Sequence, residues 1–526
     1  LGFGLRLSLL ARPGLHPDEA LYAGWAARIV DGSDPALLGV YVDKPPLQLY
    51  LLAAAFRLGG AGAGMTPDFP ALEVLGRLPG LLASTASLGL LYALGRQTYG
   101  RPTALLALAL AAVSPLAVRL APTLFPDPLL SLWILLAAWA AGQRRAWLTG
   151  IACGLAYATK QQSLLFIPLA LAILLAAALP TQHQPPLGNQ RAVPSPHSAF
   201  RILHSAFRLP HSPVPPHLRR FLYGFLLIVV LTLWWDSLRW QWMPSYWERS
   251  LATYGGLTLI SPAAWPERAA DWGELLTYAA GNHLLSLALA AGLPLVAWAA
   301  LRTLRARGPG QRAARFDLLL VGFVASYLAL HLALSFAPWD RYLLPLTPLL
   351  ALLSARAASL AMDWLRSRPP AIPRRLAARL GGALLCAGLL HAAWQGAFGA
   401  LPVGDARGFD GVAALASYLR ASQPAGAVLY HHSLGWHYSF YLYGAPLELR
   451  WWETPAALAA MAADGRQRPQ LIALPAGQDE RGVRQELRRA GFELLPSWRA
   501  RHPDGSPSLS LYTIRPVRVE VASNAY

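Results

Sequence analysis

A polytopic all-α membrane protein carrying a C-terminal α/β domain is the fold class that this sequence predicts. Three observations lead there. Only 14% of the 526 residues are charged while 55% are hydrophobic, against about 25% charged in a typical soluble chain. Apolar runs recur as far as residue 401, and about 20 such residues make a helix that crosses a bilayer. Beyond residue 405, short apolar stretches alternate with amphipathic ones, as strands alternate with helices in a small α/β domain.

Taken in order, residues 1–11 read as the end of a first span. A long loop over 12–72 follows, punctuated by Gly and Pro and holding Asp18, Glu19, Asp31, Asp34, Asp43, Lys44 and Asp68. Asp18 can cap a short helix that begins near Glu19 and runs through Leu21, Trp25 and Ile29. The apolar stretch 46–58 is too short to cross and opens on Pro-Pro, which suits a helix start. It reads as lying at the interface, with a short tilted span as the alternative. Spans follow over 74–94, 102–118, 128–141, 146–158 and 163–179.

Residues 180–220 have no Asp or Glu and carry a heptad copy, His197-Ser-Ala-Phe-Arg followed by His204-Ser-Ala-Phe-Arg. The prolines argue against a coiled coil and for a disordered, low-complexity cytoplasmic insertion. A span over 221–235 comes next. The loop over 236–282 then gathers Trp240, Trp242, Tyr246, Trp247 and Tyr254. That clustering suits a headgroup-level belt, and it equally suits sugar stacking. Four further spans cover 283–301, 316–336, 342–360 and 376–401, for about eleven in all.

The formal charge of +18 lies largely between spans, as cytoplasmic loops facing anionic lipid require. Nucleic acid is excluded as a partner, because it would need a basic face on a soluble domain. If 46–58 does not cross, the loops with Arg96 and Arg101, with Arg144 and Arg145, and over 180–220, 302–315 and 356–379 share the cytoplasmic side. The loops holding Asp18, 119–127, the tryptophans and Asp340-Arg341 then face outward from the inner membrane, as does the tail. Cys153 and Cys386 both sit in apolar runs, which excludes a disulfide framework or zinc-finger spacing.

The tail, 405–515, reads as strands at 427–430, 447–452, 470–474, 492–495 and 509–514, with helices at 454–461 and 480–489. It has no glycine-rich phosphate loop. Its His431, His432 and His437 read as packing or surface residues.

The residues that suggest chemistry come in a fixed order. Asp18-Glu19 with Tyr22 precedes Lys44-Pro45-Pro46-Leu47, then Arg77-Leu78-Pro79, Leu124-Phe125-Pro126-Asp127-Pro128, Gly154-Leu155-Ala156 and Thr159-Lys160. Over roughly residues 1–400 this order resembles the GT-C class of membrane glycosyltransferases. Its closest likeness is to bacterial members of the protein O-mannosyltransferase family, including the aminoarabinose transferases. The resemblance implies transfer of a sugar from a polyprenyl-phosphate donor to a lipid, glycan or protein acceptor, with inversion at the anomeric carbon. It maps the essential acidic residue to Asp18 with Glu19 beside it, the basic residue near the lipid phosphate to Lys44, and the acid opening the fourth span to Asp127. Some relatives use a divalent cation, Mg or Mn, which Asp18 and Glu19 could hold. The insertion at 180–220 departs from the family pattern.

The residue types suit that chemistry. An inverting transfer needs a carboxylate to take or orient the acceptor proton, a role for Asp18, with Glu19 orienting it or holding a cation. Adjacent helix residues point about 100° apart, so a shared ligand requires a turn at Pro17. The departing phosphate needs positive charge, which Lys44, Arg119, Lys160 or Arg341 can supply. Asp127, Tyr22, Trp240, Trp242 and Tyr246 are candidates for the acceptor or the sugar. Plainer readings stay open: Asp18 and Asp127 as helix caps, Lys44 as a snorkelling lysine, Asp340-Arg341 as an ion pair. A transporter or flippase is the alternative function, but no half-to-half repeat is visible and the charges collect at span ends.

Overall fold

The chain folds as a mostly helical membrane bundle with an α/β domain at its C-terminal end. The computed structural model describes residues 1–11, 14–62, 68–179, 215–254, 258–307, 309–367, 372–399, 409–422, 425–502 and 504–517. The heptad copy lies outside these residues, as does most of the expected insertion. Residues 216–220, counted with that insertion above, instead open the helix Pro216–Ser237.

Among the described residues, six helices are long and apolar enough to cross a membrane: Phe69–Tyr99, Gln161–Ala178, Pro216–Ser237, His283–Arg305, Gln311–Ala333 and Thr347–Arg366. Shorter apolar helices, Pro46–Leu58, Arg101–Val113, Asp127–Gly142 and Ala146–Thr159, pack among them. The first eleven residues hold only a six-residue helix, Gly2–Leu7. The continuous run expected over 102–118 is broken. Pro115 has no N–H to give and forces Ser114 out of helical geometry, to φ −54° and ψ 120°. A second short helix, Pro115–Leu120, then leads to the start of Asp127–Gly142.

Small residues set the closest helix contact. Gly150 and Gly154, spaced four apart, lie against Phe221, Phe225 and Ile228 of Pro216–Ser237, and Gly224 of that helix lies against Trp147 and Ile151. A Cβ at Gly154 would lie 2.7 Å from the Ile228 Cβ, and one at Gly150 would collide with the Phe221 carbonyl. With no hydrophobic drive between helices in lipid, such close backbone packing holds them together.

The basic loops collect at one end of the bundle. Gln143 donates to Gln97 at 2.8 Å, Arg312 reaches the Gly142 carbonyl, and buried Asp317 accepts from Tyr99 at 2.6 Å and Arg356 at 3.1 Å. Asp127 stands at the other end of the helix that finishes at Gly142, about 22 Å away at 1.5 Å per residue.

The tail holds a five-stranded sheet: β1 Ala427–His431, β2 Leu447–Trp451, β3 Gln470–Pro475, β4 Phe492–Arg501 and β5 Pro507–Pro516, in the order β2-β1-β3-β5-β4. β1 runs parallel to β2 and β3, and β5 pairs antiparallel with β3 and β4. All five expected strands are present, as are the helices Pro455–Asp464 and Glu480–Arg489. Two helices had no counterpart in the sequence reading: Val412–Ser422 and Gly435–Tyr441. The second packs on Pro17–Asp31.

Gly150→Leu is expected to cost roughly 1–3 kcal/mol by overpacking, read as a fall of several degrees in the unfolding midpoint in detergent. Gly89→Leu, whose Cβ meets nothing within 4 Å, is the matched control. Equal midpoints for the two variants would contradict this account of the contact.

Candidate active site

The site begins where the first long loop turns into helix. Pro17–Asp31 is capped by His16 and not by Asp18 as expected: the His16 ring accepts from the Asp18 amide at 3.2 Å, and the Glu19 carboxylate accepts from the His16 amide at 2.8 Å. Pro17 fills the first helical position, where no N–H is needed. The reciprocal cap fixes where the two carboxylates go. The second Glu19 oxygen accepts from the Leu124 amide at 2.9 Å. Glu19 is thus a buried strut between two chain segments, while Asp18, about 100° around the helix, meets Arg341 at 2.6 Å with 29% of its side chain exposed. Asp18 and Glu19 diverge, so they do not form the shared cation site that their adjacency suggested.

Two more ion pairs stand beside this one. Lys44 meets Asp43 at 2.5 Å and Tyr254 at 2.9 Å, and Tyr254 also donates to Asp43 at 3.0 Å. Lys160, at the junction between Ala146–Thr159 and the following 3-10 turn, meets Asp127 at 2.6 Å. The second oxygen of Asp127 and one of Asp43 are buried with no hydrogen-bond partner. Aromatic faces cover the cations: Arg341 lies 4.8 Å from both the Phe125 and Trp339 rings, and Lys160 lies 4.8 Å from Tyr342.

These pairs border a cavity of about 260 Å³. Lys44, Lys160, Arg341, Asp127, Tyr22 and Tyr254 are its polar lining. Leu164, Leu165, Leu251 and Phe336 are among its apolar lining. Burial pushes the Lys160 ammonium down to about 8, against the pull of Asp127. Burial also opposes charge on Arg341, but Asp18 overrides it and raises the guanidinium above its ordinary value. Burial, with the charges of Asp43 and Asp18, raises the Tyr254 phenol, which stays a donor at neutral pH.

The structure thus brings together Asp18, Lys44, Asp127, Lys160, Arg341 and Tyr22 from five separate stretches of chain, Asp18 and Tyr22 sharing one helix. It leaves other sequence candidates elsewhere. Buried Arg119 donates to the Gly399 carbonyl and does not line the cavity. Trp240 and Trp242 are 61% and 59% exposed and also lie off its lining. Tyr246 is buried against Tyr157 at 2.9 Å, a packing position. Asp43 and Tyr254 were missed as site residues. The signal for Asp43 was its place next to Lys44; Tyr254 was one of many loop aromatics, with nothing local to single it out.

A divalent cation needs several uncommitted oxygen ligands. Here Asp18, Asp43 and Asp127 each give an oxygen to a basic side chain, and Glu19 gives both to backbone amides. Among the described residues no group of three or more His, Cys, Asp or Glu side chains gathers as a metal site would require. The donor set does not fit an Mg or Mn ion held by Asp18 and Glu19.

Residues 43–185 match the family model for dolichyl-phosphate-mannose-protein mannosyltransferases. Among solved structures, the chain is similar to ArnT from Cupriavidus metallidurans bound to undecaprenyl phosphate, at 16% identity and a TM-score of 0.60 over 97% of this chain and 96% of that one. It is also similar to the oligosaccharyltransferase AglB from Archaeoglobus fulgidus in complex with an inhibitory peptide and a dolichol-phosphate, at 12% identity and a TM-score of 0.53 over 99% of this chain and 74% of that one. The Archaeoglobus fulgidus oligosaccharyltransferase in complex with Zn and sulfate matches at 12% identity and a TM-score of 0.52, over 99% and 73% of the two chains. No curated protein matches the chain. The shared fold is that of polytopic membrane proteins with a C-terminal domain.

Lys160 gives the cavity a pH limit. Its charge is present below about 8 and is lost as pH rises through that value. Binding of inorganic phosphate to the purified protein, as a probe of this basic lining, is therefore expected to weaken above pH 8, by up to about tenfold per unit. In Lys160→Arg it should stay level to pH 10. A level profile in the unmodified protein would contradict the assignment.

Proposed function

We propose that the chain is an inverting membrane glycosyltransferase. It moves a sugar from a polyprenyl-phosphate donor to a lipid, glycan or protein acceptor at the extracytoplasmic face of the inner membrane. The observation that carries this reading is the cavity itself: three basic side chains and several apolar ones line the same space, Asp127 lines it with them, and Asp18 pairs with the lining Arg341. A lipid phosphate has that same combination of charge and hydrocarbon. The likeness in fold to ArnT solved with undecaprenyl phosphate, and the match over 43–185 to a family named for a dolichyl-phosphate sugar donor, support it.

The topology belongs to the same reading. About eleven spans, with Pro46–Leu58 packed against the bundle without crossing, put the arginine-rich loops on the cytoplasmic side and the cavity outside. The boundaries proposed are 1–401 for the membrane catalytic domain and 405–515 for the extracytoplasmic domain. The gathering of the basic loops at the far end of Asp127–Gly142 supports this orientation.

In the transfer, an acceptor hydroxyl attacks the anomeric carbon and the bond from that carbon to the phosphate oxygen breaks. Asp18 takes the hydroxyl proton. The polyprenyl phosphate leaves with its charge met by Lys44, Lys160 and Arg341. Each of these bases rests on one carboxylate before the donor arrives. A phosphate that draws Arg341 toward itself frees the Asp18 carboxylate at the moment a base is needed. Asp127 lines the cavity and has a buried second oxygen with no hydrogen-bond partner, so it is the residue given the role of accepting a sugar or acceptor hydroxyl, and Tyr22 lines the same space. The step is written without a metal held by Asp18 and Glu19, because Glu19 gives both oxygens to backbone amides.

Purified protein in liposomes, given radiolabelled polyprenyl-phosphate sugars and a membrane extract as acceptor source, tests this. Asp18→Asn is expected to lower transfer about 10²- to 10⁴-fold, and chelator to leave it unchanged. Full transfer by Asp18→Asn would overturn the role given to that residue.

A further inference from the structure

The tail helix Gly435–Tyr441 is spent on the segment that aims Asp18. His437 Nε2 lies 2.8 Å from the Leu15 carbonyl, across 422 residues of sequence. The carbonyl can only accept, so that nitrogen carries the ring proton. His437 is buried, and burial pushes it down to about 4, so at neutral pH the ring has one N–H and spends it here. One helical turn on, and so on the same face, the Tyr441 hydroxyl donates to buried Glu73 at 2.7 Å. Glu73 pairs with Arg77 at 3.6 Å, and Arg77 donates to the Leu10 and Gly14 carbonyls at 3.0 and 2.7 Å. Phe440 packs between them, with Phe56 at 6.2 Å and Phe69 at 5.2 Å. Phe409 adds a further tie, stacking on His437 at 4.9 Å and meeting the His16 ring edge-on at 6.1 Å.

Apart from the Phe56 ring on Pro46–Leu58, these contacts fall on Leu10, Gly14, Leu15 and His16 or on the helix Phe69–Tyr99 that holds them through Arg77. That segment ends in the His16 cap, and Asp18 is two residues further on. Nothing in the catalytic reading uses the tail, yet the tail buries a histidine and a tyrosine to grip the backbone just before the proposed base. We propose that His437, supported by Tyr441, is a positioning residue: through the Leu15 carbonyl the C-terminal domain fixes the start of the Asp18 helix. The inference rests on the proposed role of Asp18.

The test uses the full chain in liposomes. His437→Phe keeps a ring against Phe409 and Tyr441 but has no N–H, whereas His437→Gln keeps an N–H and loses the ring. Misplacing a reacting group by about 1 Å costs up to about 10²-fold. His437→Phe is therefore expected to lose about ten- to a hundredfold in kcat, with donor KM within about twofold because the basic lining of the cavity is untouched. His437→Gln should recover most of that loss although its packing is poorer. Hydrogen exchange at the amides of residues 15–20 should quicken in His437→Phe and not in His437→Gln. Equal losses in the two variants, following their melting temperatures, would overturn positioning in favour of packing. So would unchanged kcat together with unchanged exchange in His437→Phe. Quickened exchange in an enzyme whose Asp18→Asn form stays active would uphold the clamp and overturn only the role of Asp18.

Discussion

Three basic side chains at the wall of one cavity, next to a lipid bilayer, are the constraint on which the rest depends. Removing a charge from water costs several kcal/mol even after relaxation. Lys44, Lys160 and Arg341 are each 7–9% exposed, so each needs a partner in the resting protein. Asp43, Asp127 and Asp18 supply one apiece, and aromatic rings cover the faces that remain. The arrangement keeps the cations charged without spending them fully, since each pair is a single contact that a phosphate with several oxygens can outcompete.

Much of the fold follows from bringing those pairs to one place. The break at Ser114-Pro115 shortens a helix that would otherwise carry the chain past the site. The 3-10 turn Gln161–Leu165 holds Lys160 at the cavity while the apolar run continues behind it. Arg239, wholly buried, donates to the Leu37 and Val40 carbonyls and so fixes the loop just before Asp43 and Lys44. At the opposite end the contacts are between arginines, glutamines and helix ends, with no comparable cavity among those described.

The sequence made the architecture legible because period and composition are local signals. Apolar runs located most helices, and short apolar stretches between amphipathic ones located every strand of the tail. Lys44, Asp18, Asp127, Lys160 and Arg341 were also legible, as charges at the ends of apolar runs, where charge is costly without a purpose. What failed was direction. Nothing in His16-Pro17-Asp18-Glu19 says that the histidine caps the helix and that Glu19 turns away to the Leu124 amide, because that amide is 105 residues distant. Arg119 has the same charge as Arg341 at a similar boundary, but it ends on the Gly399 carbonyl, again a long-range choice. Trp240 and Trp242 were chosen for being aromatic in an aromatic loop, while Tyr254 in the same loop reached the site. His437 looked like packing until its partner was known.

The measurement that bears most directly on this account is equilibrium binding of undecaprenyl phosphate in the presence of chelator. It compares the unmodified protein with a form carrying Lys44→Gln, Lys160→Gln and Arg341→Gln together. The account expects binding that chelator does not change and that the triple substitution reduces by a hundredfold or more, about 2.7 kcal/mol. Binding that survives the triple substitution, or that vanishes with chelator in the unmodified protein, would contradict the claim that these three side chains receive the phosphate.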